Sequence, residues 1–289
     1  MILILIMILI LIMILIYNPS HMKNDSKKPH ILITNDDGIN AKGIKHLWHS
    51  LKAHAHLTVV APADEQSAVG LCTTLRSPLR LDKLFWEDDS HAIWSVTGTP
   101  ADCVKMALNA ILDKRPDIVI SGINRGGNMG RNVLYSGTVA ASIESIMQEI
   151  PSVAFSCCDY FVEPDYPMAT RYIPAIVNYV LSNPLPKGTL LNVNFPERHL
   201  GSYKGLKMTK QGKDWWLENP DKRIHPNEGS TYYWLGGKLR INDDDNEDED
   251  GTWLRRGYVT AVPVRVTDLT DHEHLTQARD EFEKHFRES

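Results

Sequence analysis

The residues from 30 to 61 constrain the fold of this chain more than any other stretch. They begin with the apolar run His30-Ile31-Leu32-Ile33, pass through the polar cluster Thr34-Asn35-Asp36-Asp37-Gly38, and continue into residues 41–53 with Ile44, Leu47, Trp48 and Leu51 at the spacing of one helical face. A second apolar run, Leu57-Thr58-Val59-Val60-Ala61, ends at Pro62. Strand, helix and strand in so short a space form a βαβ unit, whose right-handed crossover makes the two strands parallel neighbours. The chain is therefore read as α/β, with a mainly parallel sheet flanked by helices and ligands expected at the carboxyl ends of its strands.

The alternation continues. Residues 71–96 carry short alternating runs separated by Glu87-Asp88-Asp89-Ser90, which read as an antiparallel excursion from the main sheet. Thr99 caps and Pro100 opens a helix reaching Leu112. The strand at 116–120 then delivers Ser121-Gly122-Ile123-Asn124-Arg125-Gly126-Gly127-Asn128-Met129-Gly130, and a helix begins around Tyr135-Ser136-Gly137-Thr138-Val139. A strand at 153–156, a helix over 169–181 and a strand at 189–194 follow. Beyond Pro196 the order breaks down into strands near 207–210, 231–235 and 258–262 and a closing helix over 273–286.

Two adjacent carboxylates at a strand tip repel one another and raise each other's pKa unless a cation is shared. Asn-Asp-Asp-Gly is also good turn chemistry, so a turn and a site are both open from these residues alone. The loop of residues 62–70 brings Ser67 toward the same sheet edge, and the glycine-rich loop brings Asn124. Carboxylate, hydroxyl and amide oxygens suit a hard cation such as Mg²⁺ or Mn²⁺ better than zinc. Glycines at 122, 126, 127 and 130 let the backbone approach a ligand closely. The loop has neither a Walker lysine nor the G-x-G-x-x-G spacing. Ser136-Gly137-Thr138 at a helix start offers hydroxyls and free N–H groups to an anion, or simply an N-cap.

Composition excludes little but is informative about partners. The run Asp243-Asp244-Asp245-Asn246-Glu247-Asp248-Glu249-Asp250 holds 7 of the 36 acidic residues and accounts for the formal net charge of −5; without it the balance is +2. Nothing here forms the basic face that duplex nucleic acid needs, and the acidic run reads as a solvated loop. The cysteines, Cys72, Cys103, Cys157 and Cys158, show no ligand-like spacing and read as reduced thiols of a cytoplasmic protein. Residues 1–16 repeat Met-Ile-Leu-Ile-Leu-Ile, a low-complexity segment shorter than the ~20 apolar residues of a membrane helix and without the flanks of a signal peptide. Met22 is a natural alternative start, and no membrane association is expected.

Thr34-Asn35-Asp36-Asp37-Gly38, Ser121-Gly122-Ile123-Asn124 with Gly127, Asn128 and Gly130, and Tyr135-Ser136-Gly137-Thr138-Val139-Ala140-Ala141 together resemble the SurE (survival protein E) family of 5'-nucleotidases. The similarity extends through Gln211-Gly212 with Trp216, Tyr232-Tyr233-Trp234 and Gly257-Tyr258-Val259. The resemblance implies a phosphatase that uses one divalent cation per subunit, Mg²⁺ or Mn²⁺, to hydrolyse nucleoside monophosphates, with short polyphosphate as a further substrate. It implies that Asp36, Asp37, Ser67 and Asn124 hold the metal and that Gly127, Asn128, Ser136, Gly137 and Thr138 contact the phosphate. It also implies a Rossmann-like catalytic core over 30–195, preceded by a repeat and linker over 1–29 outside the fold. The remaining 196–289 would form a C-terminal extension with an antiparallel hairpin and a closing helix, used to build a homodimer or homotetramer. The repeat before Tyr17 and the acidic run depart from the family pattern.

On this reading Asp36 is the catalytic residue, orienting or deprotonating the attacking water. Two rivals follow from the same residues. An aspartyl-phosphate mechanism of the haloacid-dehalogenase type calls for a second Asp two residues after the nucleophile, where Gly38 stands after Asp36. A non-catalytic nucleotide-binding module needs the glycine loop but not two adjacent carboxylates.

Overall fold

The computed structural model describes residues 28–86, 92–241 and 248–287. The apolar repeat, the separator after Trp86 and positions 243–247 of the acidic run lie outside the described residues. The strands are β1 (His30–Thr34), β2 (His56–Pro62), β3 (Leu81–Leu84), β4 (Ala92–Val96), β5 (Ile118–Arg125), β6 (Ser152–Cys157), β7 (Thr189–Phe195), β8 (Leu206–Met208), β9 (Trp215–Glu218), β10 (Asp221–Ile224), β11 (Thr231–Trp234), β12 (Gly237–Arg240) and β13 (Val259–Arg265). The helices are α1 (Lys42–Leu51), α2 (Pro100–Met106), α3 (Gly137–Met147), α4 (Tyr166–Thr170), α5 (Ile173–Ser182), α6 (Asp250–Arg255) and α7 (His272–Arg287).

Nine strands form one sheet in the order β3-β4-β2-β1-β5-β6-β7-β13-β8. β1 pairs in parallel with both β2 and β5, and β5, β6 and β7 continue the parallel run. The C-terminal segment closes the sheet, β13 running antiparallel to β7 and β8 parallel to β13. β9 with β12 and β10 with β11 make two small antiparallel pairs outside it.

Both faces of the sheet are covered, as a parallel sheet requires. Ile44, Leu47, Trp48 and Leu51 of α1, with Ile173, Val177 and Val180 of α5, pack over Ile31, Ile33, Ile120, Phe155 and Val193. On the opposite face Val104 of α2 and Ala141 of α3 meet Leu32, Val60 and Val119. α2 starts as its sequence demands: Thr99 Oγ1 accepts the Asp102 N–H, the Asp102 carboxylate accepts the Thr99 N–H, and Pro100 occupies the first turn, where no N–H is missed.

The structure departs from the sequence pattern in five places. The helix expected to reach Leu112 is α-helical only to Met106 and continues over Ala107–Ile111 as a wider π-helical turn. β4 lies parallel to β2 inside the main sheet, and only β3 is antiparallel, so the excursion returns to the sheet it left. β5 runs on through Ser121 to Arg125, with a register shift against β6 between Ser121 and Asn124, so that half of the glycine-rich loop is bulged strand. The helix expected over 169–181 is two, α4 and α5, with Pro174 in the first turn of the second. The acidic run is not all solvated: Glu249 and Asp250 are buried, and Asp250 opens α6.

The bulge in β5 is supported from behind by α1. A Cβ at Gly43 would overlap the carbonyl oxygen of Ile123, the residue before Asn124, so helix and strand can touch only through a glycine. In an open helix Gly→Ala gains stability. Here Gly43→Ala is expected to cost about 1–3 kcal/mol through overpacking. The measurement is a urea titration; an unchanged or higher midpoint would contradict the close approach.

Candidate active site

The site begins as a turn built by its own residues. Asn35 donates its Nδ2–H to the Gly38 carbonyl at 2.9 Å, and Gly38 takes φ +92°, the left-handed conformation such a turn needs. Turn and site thus coincide: the bend at the end of β1 holds Asp36 buried and Asp37 half-buried.

Two further loops are stitched to this turn. The Gln66 N–H donates to the Asp36 carbonyl at 2.7 Å, which places Ser67 one residue from the pair. Ser67 is exposed and its hydroxyl donates to Glu65 at 2.6 Å. The Arg125 N–H donates to Asp37 Oδ2 at 3.2 Å, which places Asn124 beside the pair on the other side. Asn124 donates its Nδ2–H to the Gly126 carbonyl at 2.8 Å, so its Oδ1 is the atom left for a cation.

The start of α3 meets Asp36 directly. Thr138 donates both its hydroxyl and its backbone N–H to the Asp36 carboxylate. A Cβ at Gly137 would lie 2.7 Å from Asp36 Cβ, so this helix position needs glycine to admit the aspartate. Ser136 caps the helix by accepting the Val139 N–H at 3.1 Å. Among the described residues this leaves the Gly137 N–H and the Ser136 O–H at the helix start as donors to an anion.

Of the other expected phosphate contacts, Gly127 is half-buried on the loop and Asn128 is buried. Asn128 is committed to the scaffold: its N–H donates to Asn194 Oδ1 at 2.7 Å, its Nδ2–H to Ser156 Oγ at 2.7 Å, and its carbonyl accepts from Asn192 at 2.9 Å.

Electrostatics favour a cation here. Burial pushes the Asp36 carboxyl up, with the two Thr138 donors opposing it. Burial, then the charge of Asp36, push Asp37 up to about 7. Arg125 sends its guanidinium to the Tyr160 carbonyl at 3.0 Å rather than to a carboxylate. No cluster of three His, Cys, Asp or Glu side chains suited to a metal exists among the described residues. The two carboxylates are brought together, while the Ser67 hydroxyl and the Asn124 amide lie on the two loops stitched to their turn; carboxylate, amide and hydroxyl oxygens fit a hard divalent ion rather than zinc.

Sequence reasoning missed two groups. Glu65 sits close enough for its charge to raise both aspartates; a surface carboxylate in a polar loop carries no signal of that. The second group reaches the glycine loop from the C-terminal segment. Gln211 Nε2 donates to the Gly130 carbonyl at 2.7 Å, Asp250 Oδ2 accepts the Gly130 N–H at 3.2 Å, and the Asp214 carbonyl accepts the Arg131 N–H at 2.7 Å. Positions 130, 211 and 250 share no sequence pattern that would join them.

In protein stripped of metal, Asp37 holds its proton up to about pH 7 when folded and only to about 3.8 when unfolded. The folded state then binds more protons between those values, so stability falls as pH rises from about 4 to 7. Urea midpoints measured across that window in chelator-treated protein should decline. Asp37→Asn should flatten the decline, and an equally steep decline in the variant would remove Asp37 as its source.

Comparisons with known proteins show the family. The family model described as "Survival protein SurE" matches residues 31–218. A protein of Protochlamydia amoebophila named 5'-nucleotidase SurE is 54% identical over 258 residues, covering 89% of this chain and 98% of that protein. A protein of the same name from Flavobacterium psychrophilum is 44% identical over 251 residues, covering 87% and 96%. The crystal structure of a SurE protein from Aquifex aeolicus superposes with a TM-score of 0.72 at 35% identity, covering 86% of this chain and 98% of that one. With its site built on the same strand ends and helix start that carry the motifs, the chain belongs to the SurE family.

Proposed function

We propose that this protein is a divalent-metal-dependent phosphomonoesterase that hydrolyses nucleoside monophosphates to nucleoside and phosphate. The observation that carries the reading is the contact of α3's first turn with the Asp36-Asp37 pair. It sets a site for positive charge against a site for negative charge. Relatives at 54% and 44% identity over most of the chain bear the name 5'-nucleotidase.

Asp36, Asp37, Ser67 and Asn124 would hold the cation, Mg²⁺ or Mn²⁺. When bound, the ion supplies positive charge to the phosphoryl oxygens and acidity to a water. Asp36 is the general base: its carboxylate, fixed in orientation by Thr138, takes a proton as a water oxygen attacks phosphorus and the bond to the ribose oxygen breaks, that oxygen leaving as the nucleoside hydroxyl with a proton from solvent. The Gly137 N–H and the Ser136 O–H donate to phosphoryl oxygens as their charge grows, aided by the positive end of the α3 dipole. Thr138 acts through Asp36, since both of its donors are spent there. Gly127 and Asn128 shape the backbone that closes over the phosphate.

We also infer that the exposed residues Tyr232, Tyr233 and Trp234 of β11 and Leu275, Phe282 and Phe286 of α7 are covered by another copy of the chain in a homodimer or homotetramer. A cytoplasmic location fits cysteines that are all free, two of them buried. No helix among the described residues is long and apolar enough to cross a membrane.

The test is phosphate release from AMP with Mn²⁺ and with excess chelator. Turnover should require the ion, and Asp36→Asn should lower kcat about 10²–10⁴-fold, the range of a lost general base, with an unchanged melting temperature. Near-normal turnover by that variant would sink the assignment. A single turnover in labelled water should put one solvent oxygen into the phosphate released, with no phosphoenzyme trapped; a trapped phosphoaspartate would replace direct attack with a covalent route.

A further inference from the structure

Among the buried acids that the proposed mechanism leaves unused, Asp250 gathers the most backbone around it. Asp250 is wholly buried, and its two oxygens accept four donors from three segments of chain. Oδ1 takes the N–H groups of Gly212 at 2.9 Å and Gly251 at 2.8 Å. Oδ2 takes the Gly130 N–H at 3.2 Å and Gln211 Nε2 at 3.1 Å. The same Gln211 amide donates to the Gly130 carbonyl at 2.7 Å, so both polar groups of the Gly130 backbone are held from the C-terminal segment.

The next residue is held as well. The Arg131 N–H donates to the Asp214 carbonyl, and the Asp214 side chain, itself buried, pairs with Arg255 of α6 at 2.8 Å. Gly130 takes φ +58°, and a Cβ there would overlap the Asp214 carbonyl, so the loop and the strap touch backbone to backbone. Trp216 donates its N–H to Asn132 Oδ1 at 3.0 Å, extending the strap along the loop.

We propose that Asp250, with Gln211, is a positioning residue for phosphate binding: it locks the loop around Gly127–Gly130 into the shape that receives the phosphoryl group. The proposal rests on the function argued above, and it assigns a catalytic purpose to a segment remote from the chemistry. A flexible loop would have to be ordered each time a phosphate bound, and a loop ordered in advance binds more tightly.

Asp250→Asn keeps the shape of the side chain but supplies one acceptor oxygen where four donors need two. Hydrogen bonds to a charged group are strong, and the loss of one is about tenfold in an equilibrium. Amide hydrogen exchange at Gly130 and Arg131 should rise about tenfold in the variant, and the inhibition constant of inorganic phosphate should rise about tenfold. The affinity for Mn²⁺ should stay within about twofold, because Asp36 and Asp37 make no contact with Asp250. Gln211→Met, which leaves the buried acid in place, should shift the same two readouts in the same direction and serves if Asp250→Asn does not fold.

A merely structural role would lower the melting temperature and raise exchange across the sheet while leaving phosphate affinity intact in the folded protein. That outcome overturns the proposal, as does faster exchange at Gly130 with phosphate inhibition unchanged. If the unsubstituted protein releases no phosphate from AMP, the proposed function fails by itself, and phosphate binding followed by calorimetry with exchange at Gly130 and Arg131 still decides the role of Asp250.

Discussion

Two neighbouring carboxylates at the end of β1 set the terms for the surrounding structure. Placing Asp36 and Asp37 side by side under cover costs energy that water can no longer relieve, and the rise of Asp37 to about 7 expresses that cost. The fold answers on one side only. α3 brings its positive end and two Thr138 donors to Asp36, and the helix starts with glycine because a larger residue would collide with the aspartate. Among the described residues Asp37 receives a single N–H, at 3.2 Å from Arg125. The imbalance left at Asp37 is what a cation would relieve.

Parallel pairing explains how residues so far apart in sequence reach this pair. β1 lies between β2 and β5, so the loops leaving all three strands emerge at one edge. The Gln66 N–H and the Arg125 N–H each bond to the Asp36-Asp37 segment, so both neighbouring loops are registered against the acids by backbone donors. The bulge in β5 lies just before the Arg125 N–H that bonds to Asp37, and close packing of Ile123 on Gly43 fixes the position of that bulge from the far side. The geometry of the site is thus set by strand order and one glycine contact more than by the ligating side chains.

Much of this arrangement is legible in the sequence. Apolar periodicity located β1, α1 and β2 to within a residue or two and cap chemistry fixed the start of α2, because a buried parallel strand, an amphipathic helix and a capping box each impose a strong local pattern. Strand order alone brings the loops of Asp36, Asp37, Ser67 and Asn124 to one sheet edge, whereas Ser136–Thr138 is marked by its helix start and by the family resemblance. What local pattern could not carry was anything decided by distant pairing. β4 joins β2 through a tertiary choice, the extension of β5 past Ser121 looked like loop because glycine is rare in strands, and the burial of Asp250 is invisible in a run of acids that reads as solvent-facing. The hydroxyl of Thr138, a phosphate contact by resemblance, donates to Asp36 instead.

Asp250 also shows why residue type is a poor guide to where a cation will go. Asp102, Asp250 and the Asp36-Asp37 pair are all acids held within this fold, and only their donor supply distinguishes them. Asp102 accepts the backbone N–H groups of Thr74 and Thr99, and Asp250 accepts three backbone N–H groups and an amide. Their oxygens are occupied by neutral partners that organise chain, so each works as a cross-link. Asp36 and Asp37 share fewer donors between two charges and stand beside the further carboxylate of Glu65. A cation gains most where negative charge is least compensated, which selects the end of β1 over the other acids. The same accounting assigns the C-terminal strap its part: saturated carboxylates hold the loop still, and the unsaturated pair is left for chemistry.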